Sequence, residues 1–308
     1  MSETVATDAE QRPRLDTRVG TPVDGVEVLG SLSPSRAGDF KTCPLLFRLR
    51  TIDRLPETPS PDAVRGTVVH KVLEDLFDLP AAERTPARAE DMVQAAWEAV
   101  LEQEPVAAEM FTGEGPAIVD WLTSCRESLR GYFALEDPRR IEPAEREVYV
   151  EALLDSKLLL RGFVDRIDVA GDGSVRVVDY KTGRSPAVGF EARALFQMRF
   201  YALVLWRTRG VVPRRLQLIY LGDGQVVSYE PDEDDLRATQ RLVQALWEAI
   251  RVARETGEFV ARKGWACGWC SFRPLCPEWG GTPPPLPLRS DDPATLDLTP
   301  EAAPRLGA

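Results

Sequence analysis

The chain has 308 residues, with 38 basic and 49 acidic side chains, a net charge of −11 and 44% hydrophobic residues. These proportions are those of a water-soluble globular protein with one large or two small domains. No apolar run reaches the roughly 18 residues a membrane span needs, and the polar start from Met1 to Arg14 is not a secretory leader, so cytoplasmic residence is expected. The acidic balance argues mildly against broad coating of nucleic acid but leaves room for a local basic groove.

Residues 1–30 lack steady periodicity and are expected to form a mobile arm. Ser33-Pro34-Ser35 offers a cap and a first-turn proline, predicting a helix through Phe40 to Leu49. Asp62 to Leu79 repeats apolar residues at helical period (Val64, Val68, Val72, Leu73, Leu76). Helical patterns also cover Pro86 to Leu101 and Ile118 to Leu135, the latter carrying Cys125 as a small core residue. The character then changes. Glu147 to Leu154, Lys157 to Val169 and Ser174 to Lys181 are rich in Val, Leu and Ile, lie between short turns and read as strands. A helix (Phe190 to Arg209), a strand (Leu216 to Leu221), a Gly222-Asp223-Gly224 turn, another strand and a long helix (Asp232 to Thr256) follow. From Gly281 onward there are seven prolines in 28 residues, a composition expected to stay disordered. This order predicts an α/β (α+β) domain over residues 31–280 with a mixed central sheet, an arm over 1–30 and a tail over 281–308.

Gly171-Asp172-Gly173 is a good hairpin loop. Pairing symmetric about Asp172 sets Asp165 opposite Asp179, with Cβ atoms about 4.5–5.5 Å apart. Lys181 projects from the same face, which otherwise carries Phe163, Ile167, Val169, Val175 and Val177. Such a hairpin end could simply reach water. Two opposed carboxylates are nevertheless destabilising unless positive charge sits between them, and a divalent cation held by hard oxygen ligands supplies it. His70, the sole histidine, lies on the helix beginning near Asp62; alone it would be read as structural.

Gly162-Phe163-Val164-Asp165-Arg166-Ile167-Asp168 followed by Val178-Asp179-Tyr180-Lys181-Thr182-Gly183 resembles the PD-(D/E)xK nuclease signature in its RecB-like form. Gln197 and Tyr201 resemble the Q-x3-Y element of that family, Gly66-x3-His70 its upstream histidine motif, and Ser33-Pro34-Ser35 through Cys43-Pro44 its opening segment. The resemblance spans about Leu32 to Pro277, with Val164 where the literal signature has proline. It implies a restriction-endonuclease-like core with a helical insertion. It also implies His70, Asp165, Asp179 and the Tyr180 backbone carbonyl as ligands of Mg²⁺ or Mn²⁺. Lys181 would orient or activate the attacking water, and Gln197 and Tyr201, one helical turn apart, would contact DNA or the site. Glu147 is expected in a supporting role. Asp168 lies on the opposite strand face and is not counted as a ligand.

Cys267-x2-Cys270-x5-Cys276, with Cys43 far upstream, could build a zinc site or hold a 4Fe-4S cluster, and spacing does not separate the two. The arrangement is similar to that of AddB-type nuclease domains and CRISPR-associated RecB-like exonucleases, which implies 4Fe-4S, with Trp265, Trp269 and Phe272 shielding the sulfurs. The resemblance implies an exonuclease acting on DNA ends or single strands in repair, recombination or CRISPR adaptation. No G-x4-G-K-[ST] loop is present, so unwinding would come from a helicase or other repair partner. The alternatives are a noncatalytic DNA-binding or assembly module on the same fold, and a zinc-stabilised hydrolase of another substrate. Arg193, Arg199, Arg207, Arg214 and Arg215 could form a phosphate track or a solvated helix face.

Overall fold

The computed structural model describes residues 28–57, 59–111, 117–186 and 191–287, the side chains of 191–193 excepted. The predicted arm up to residue 27, the tail beyond 287 and the Arg193 side chain lie outside the described residues. No described helix is long and apolar enough to cross a membrane.

Strands β1 (Gly30–Leu32), β2 (Glu145–Leu153), β3 (Leu158–Val169), β4 (Val175–Lys181), β5 (Arg215–Tyr220) and β6 (Gln225–Tyr229) form one mixed sheet. β1 pairs parallel with the start of β3, and β2 pairs antiparallel along most of β3's length. The far end of β3 pairs antiparallel with β4, followed by β5 (parallel) and β6 (antiparallel). This is the predicted α/β plan. The strand the sequence does not reveal is β1, whose Gly30 falls at the end of the predicted arm and whose Ser31 and Leu32 precede the predicted helix cap.

Helices cover both faces. Helices α1 (Pro34–Thr42), α6 (Glu191–Arg209) and α7 (Glu233–Thr256) lie with Ile167, Val175, Val177, Leu216 and Leu218 in one core. Helices α3 (Pro61–Leu76), α4 (Pro86–Gln103) and α5 (Ile118–Leu135) lie with Val178, Tyr180, Ile219 and Leu221 in the other. Alternate residues of β4 and β5 therefore enter opposite cores, as a two-residue pleat requires. Cys125 is fully buried in the second core, as expected. The predicted helix through Leu49 is broken instead. Cys43 is extended (φ −157°) between α1 and the short α2 (Pro44–Phe47), because a residue before proline is driven out of the helical region.

The first stretch of the predicted tail is held down. The buried Arg48 donates to the Pro284 carbonyl, and Leu286 packs against the first core.

Arg166, 1% exposed, ties the sheet to the end of α5. Its guanidinium donates to both Glu136 carboxylate oxygens at 2.8 and 2.9 Å and meets Asp168 at 3.1 Å. Removing Glu136 takes away two charge-assisted hydrogen bonds while Asp168 still balances Arg166, so Glu136→Leu is expected to lower the unfolding free energy by about 2–3 kcal/mol in urea denaturation.

Candidate active site

The β3–β4 ladder has the predicted symmetry about Asp172, from Val169 opposite Val175 to Arg166 opposite Val178. It stops one pair short of Asp165 and Asp179. There the strands part, and the Asp165 carboxylate accepts the Tyr180 N–H at 2.7 Å. The β2–β3 ladder also skips Asp165, because Glu147 opposite it adopts a left-handed backbone (φ 40°). That conformation is strained for a non-glycine residue, and strain of this kind concentrates at functional sites.

The pleat resets at this point. Leu158, Leu160 and Val164 enter the core beneath α6, and so does Ile167, an odd-numbered position. Phe163 was predicted on the face of Asp165 and Ile167. It instead meets Tyr149, with ring centroids 5.3 Å apart, outside that core. Strict alternation fails because the ladders on both sides of β3 are interrupted at Asp165.

Three elements converge on the interruption. From α3, His70 places Nε2 2.9 Å from the Tyr180 carbonyl oxygen. Its Nδ1 lies 3.5 Å from Asp165 Oδ2 and 3.7 Å from Glu147 Oε1. Ligand atoms of His70, Glu147 and Asp165 all lie within 4.8 Å of one another. Behind them, Lys181 Nζ is 2.7 Å from Asp179 Oδ2 and donates to Gln197 Oε1 at 2.9 Å. The Gln197 amide in turn donates to the Tyr201 hydroxyl at 3.3 Å. Asp179 is 2% exposed at the base of the site, whereas the side chains of His70 and Lys181 are 23% and 33% exposed at its opening.

The predicted residues thus meet in one place, with one exchange of position. Glu147, expected in support, stands in the carboxylate–imidazole cluster, while Asp179 pairs with Lys181. The missed signal was available. Pairing symmetric about Ser156, in the turn between β2 and β3, puts Glu147 opposite Asp165 in the register that the flanking residues adopt.

Electrostatics mark this as a place that wants positive charge. Burial raises the Asp165 carboxyl, and His70 and Lys181 only partly offset it. Burial and the neighbouring Asp165 push Asp179 up to about 6 against the pull of Lys181. Burial disfavours a charged His70, yet Asp165, Glu147 and Asp179 together raise it to about 9. Lys181 is likewise raised by Asp179 and Asp165 despite burial, so it stays an ammonium. Carboxylate oxygens, an imidazole and a backbone carbonyl facing each other in an anionic, half-closed site fit a hard divalent cation.

Gly162 explains how α6 reaches the site. A Cβ there would lie 2.8 Å from the Tyr201 ring, so only glycine lets that ring rest on β3. Gly162→Ala is expected to cost about 1–3 kcal/mol in thermal or chemical denaturation by overpacking.

The basic residues proposed as a track are mostly engaged elsewhere. Arg207 pairs with Asp155, Arg215 with Glu230, and Arg199 lies over Tyr229.

The cysteines also converge. Cys43, Cys270 and Cys276 pack against Leu45, Leu46, Leu49 and Phe272. Cys270 is raised by burial and by the proximity of Cys43 and Cys267. Backbone N–H groups of Arg262 and Gly264 point at the sulfurs of Cys43 and Cys267, each at 3.4 Å. All four are free of disulfide bonds. Phe272 is buried as expected, but Trp265 and Trp269 are 63% and 76% exposed and do not shield the sulfurs. The short turns of this segment hold too little surrounding core to cover a tryptophan.

The sequence matches the PD-(D/E)XK nuclease superfamily over residues 31–277. It is 30% identical over 199 residues to the Gene 69 protein of Mycobacterium phage D29, covering 58% of this chain and 70% of that protein. It is also 30% identical over 129 residues to one subunit of the ATP-dependent helicase/deoxyribonuclease of Streptococcus equi subsp. zooepidemicus (strain H70). That match covers 41% of this chain and spans 12% of the relative. A crystal structure of a candidate exonuclease from Eubacterium rectale shares the fold, with TM-score 0.52 at 14% identity over 88% of this chain and 93% of that one.

Proposed function

This chain belongs to the PD-(D/E)XK nuclease superfamily, and from that premise we propose that it is a metal-dependent deoxyribonuclease of the RecB-like type. Its proposed mode is exonucleolytic, on DNA ends or single strands, in cytoplasmic repair, recombination or CRISPR adaptation. Residues 31–280 form the proposed nuclease domain. The observation that carries the reading is the His70–Glu147–Asp165 cluster lying beside the Asp179–Lys181 pair. A binding module needs no such arrangement.

His70, Glu147, Asp165 and the Tyr180 carbonyl would hold Mg²⁺ or Mn²⁺, with Asp179 adjoining. Such an ion, when bound, polarises a phosphate oxygen and supplies hydroxide near neutral pH. The chain's own contribution centres on Lys181. An ammonium has three donors; Asp179 and Gln197 engage two, which leaves the third to hold a phosphate oxygen or the attacking water. Held between Asp179 and Gln197, Lys181 would act on the phosphate or the water by position and charge. Tyr201, its hydroxyl raised by burial and by the nearby Asp179, stays neutral and fixes Gln197.

Cys43, Cys267, Cys270 and Cys276 are proposed to hold a 4Fe-4S cluster, with zinc as the alternative. Anaerobic purification and an absorbance spectrum near 400 nm separate them, since a zinc protein is colourless. The relationship to part of a helicase/deoxyribonuclease supports a helicase as partner.

The test is an assay on end-labelled single- and double-stranded DNA with Mg²⁺ or Mn²⁺. Cleavage is expected in wild type, and Asp179→Ala should abolish it while retaining DNA binding. Binding without metal-dependent cleavage in wild type would favour the noncatalytic module and sink the nuclease.

A further inference from the structure

The exposed tryptophans left over from the cysteine segment form a feature of their own. Trp265 and Trp269 lie against each other with ring centroids 5.6 Å apart and planes tilted by 56°. Large aromatic rings are costly to leave in water, and an exposed pair marks a binding surface more often than an accident of folding. The local charge then selects the partner. On a chain of net charge −11, this segment carries exposed Arg262, Lys263 and Arg273, with Lys263 lying 3.6 Å from the Glu278 carboxylate in an exposed pair that a phosphate can displace. Arg273 lies 4.0 Å from the centroid of a third exposed ring, Trp279.

The patch reaches α1 and, through it, the helix that carries Gln197. Arg262 donates to the Lys41 carbonyl at the end of α1. The Lys41 ammonium lies 4.2 Å from the Phe196 ring centroid, and Phe196 immediately precedes the Gln197 that holds Lys181.

We propose that Trp265 and Trp269 are a stacking platform for unpaired bases of single-stranded DNA, with Arg262 and Lys263 meeting the phosphates beside them. The substrate class is therefore a single strand or a frayed end. The proposal deepens the nuclease reading and rests on it. Stacking suits this role because every base presents a π face, giving affinity without sequence preference, while cations supply the salt-dependent part. Duplex DNA keeps its bases stacked internally and offers the rings nothing.

The test measures binding of a fluorescein-labelled oligothymidylate to the full chain without added divalent metal. The double variant Trp265→Ala/Trp269→Ala should bind about tenfold more weakly or worse. Trp265→Phe/Trp269→Phe should recover most of the affinity, and duplex binding should change little. Because the rings are exposed, the melting temperature should hold. As a check independent of any variant, intrinsic tryptophan fluorescence of wild type should fall on titration with unlabelled oligothymidylate. Unchanged affinity in the alanine variant would assign the rings to a protein surface and overturn the proposal. Manganese-dependent cleavage by wild type separates the two readings. Cleavage with tryptophan-independent binding sinks the platform alone, and tryptophan-dependent binding without cleavage sinks the nuclease alone. A wild type that neither binds nor cleaves single strands sinks both.

Discussion

Asp165→Ala should reduce DNA cleavage at least about a thousandfold, because it removes the carboxylate around which the cluster is organised. Asp165 Oδ2 stands 3.5 Å from His70 Nδ1 and accepts the Tyr180 N–H at 2.7 Å. Its loss therefore removes a proposed ligand and releases the β4 backbone whose carbonyl faces the same space. Calorimetric titration of Mn²⁺ should show saturable binding in wild type and none in the variant over the same range. Glu147→Gln should resemble Asp165→Ala in metal binding, a result specific to the ligand set proposed for this geometry. Near-wild-type Mn²⁺ affinity in Glu147→Gln would return Glu147 to a supporting role and restore Asp179 as the second carboxylate ligand.

The same titration carries a pH test. Without metal, the surrounding carboxylates raise His70 to about 9, so at pH 7 it is protonated, and a metal ligand must be neutral. Metal uptake should then release close to one proton per site, and the binding heat should vary with the ionisation enthalpy of the buffer. Affinity should fall by about tenfold per pH unit below 9 from this proton alone.

Much of this site was legible in the sequence because hairpins obey arithmetic. A short Gly-Asp-Gly loop fixed the register that brings Asp165 towards Asp179, and the ladder keeps that symmetry for four pairs. What the arithmetic could not give is where hydrogen bonding stops. The interruption at Asp165 depends on the left-handed backbone of Glu147, a conformation no local pattern demands of a glutamate. The face of Phe163 was misjudged for the same reason, since alternation is a rule of continuous pleats. β1 escaped because three residues carry no period, and Gly30 begins a strand only because β3 offers it a parallel edge. Trp265 and Trp269 stand open to solvent although they flank the cysteines in sequence, because nearness along the chain does not provide a cover. Covering requires surrounding core, and Phe272 is the one residue of the cysteine segment that is buried in one among those described.

Cys270→Ser should lower the melting temperature by about 10 °C or more and remove absorbance near 400 nm. The basis is the topology of the proposed cluster. Cys43 ends α1 near the start of the domain, whereas Cys267, Cys270 and Cys276 follow its last helix. A bond between them closes a loop of more than two hundred residues, and by the chain-entropy rule for disulfides such closure destabilises the unfolded state by about 5 kcal/mol. For chains of this size each kcal/mol corresponds to about 2–4 °C, so closure alone accounts for the predicted drop. The local packing adds to it: Leu45, Leu46, Leu49 and Phe272 form a small core whose partners include three of the cysteines. Cys125→Ala is the matched control. That thiol is buried on the opposite helical layer and pushed up to about 12 by burial, so its removal should cost only a methyl-sized void and leave the spectrum intact. A Cys270→Ser protein with wild-type stability would show that the small apolar core suffices and that the cysteines do not close the domain.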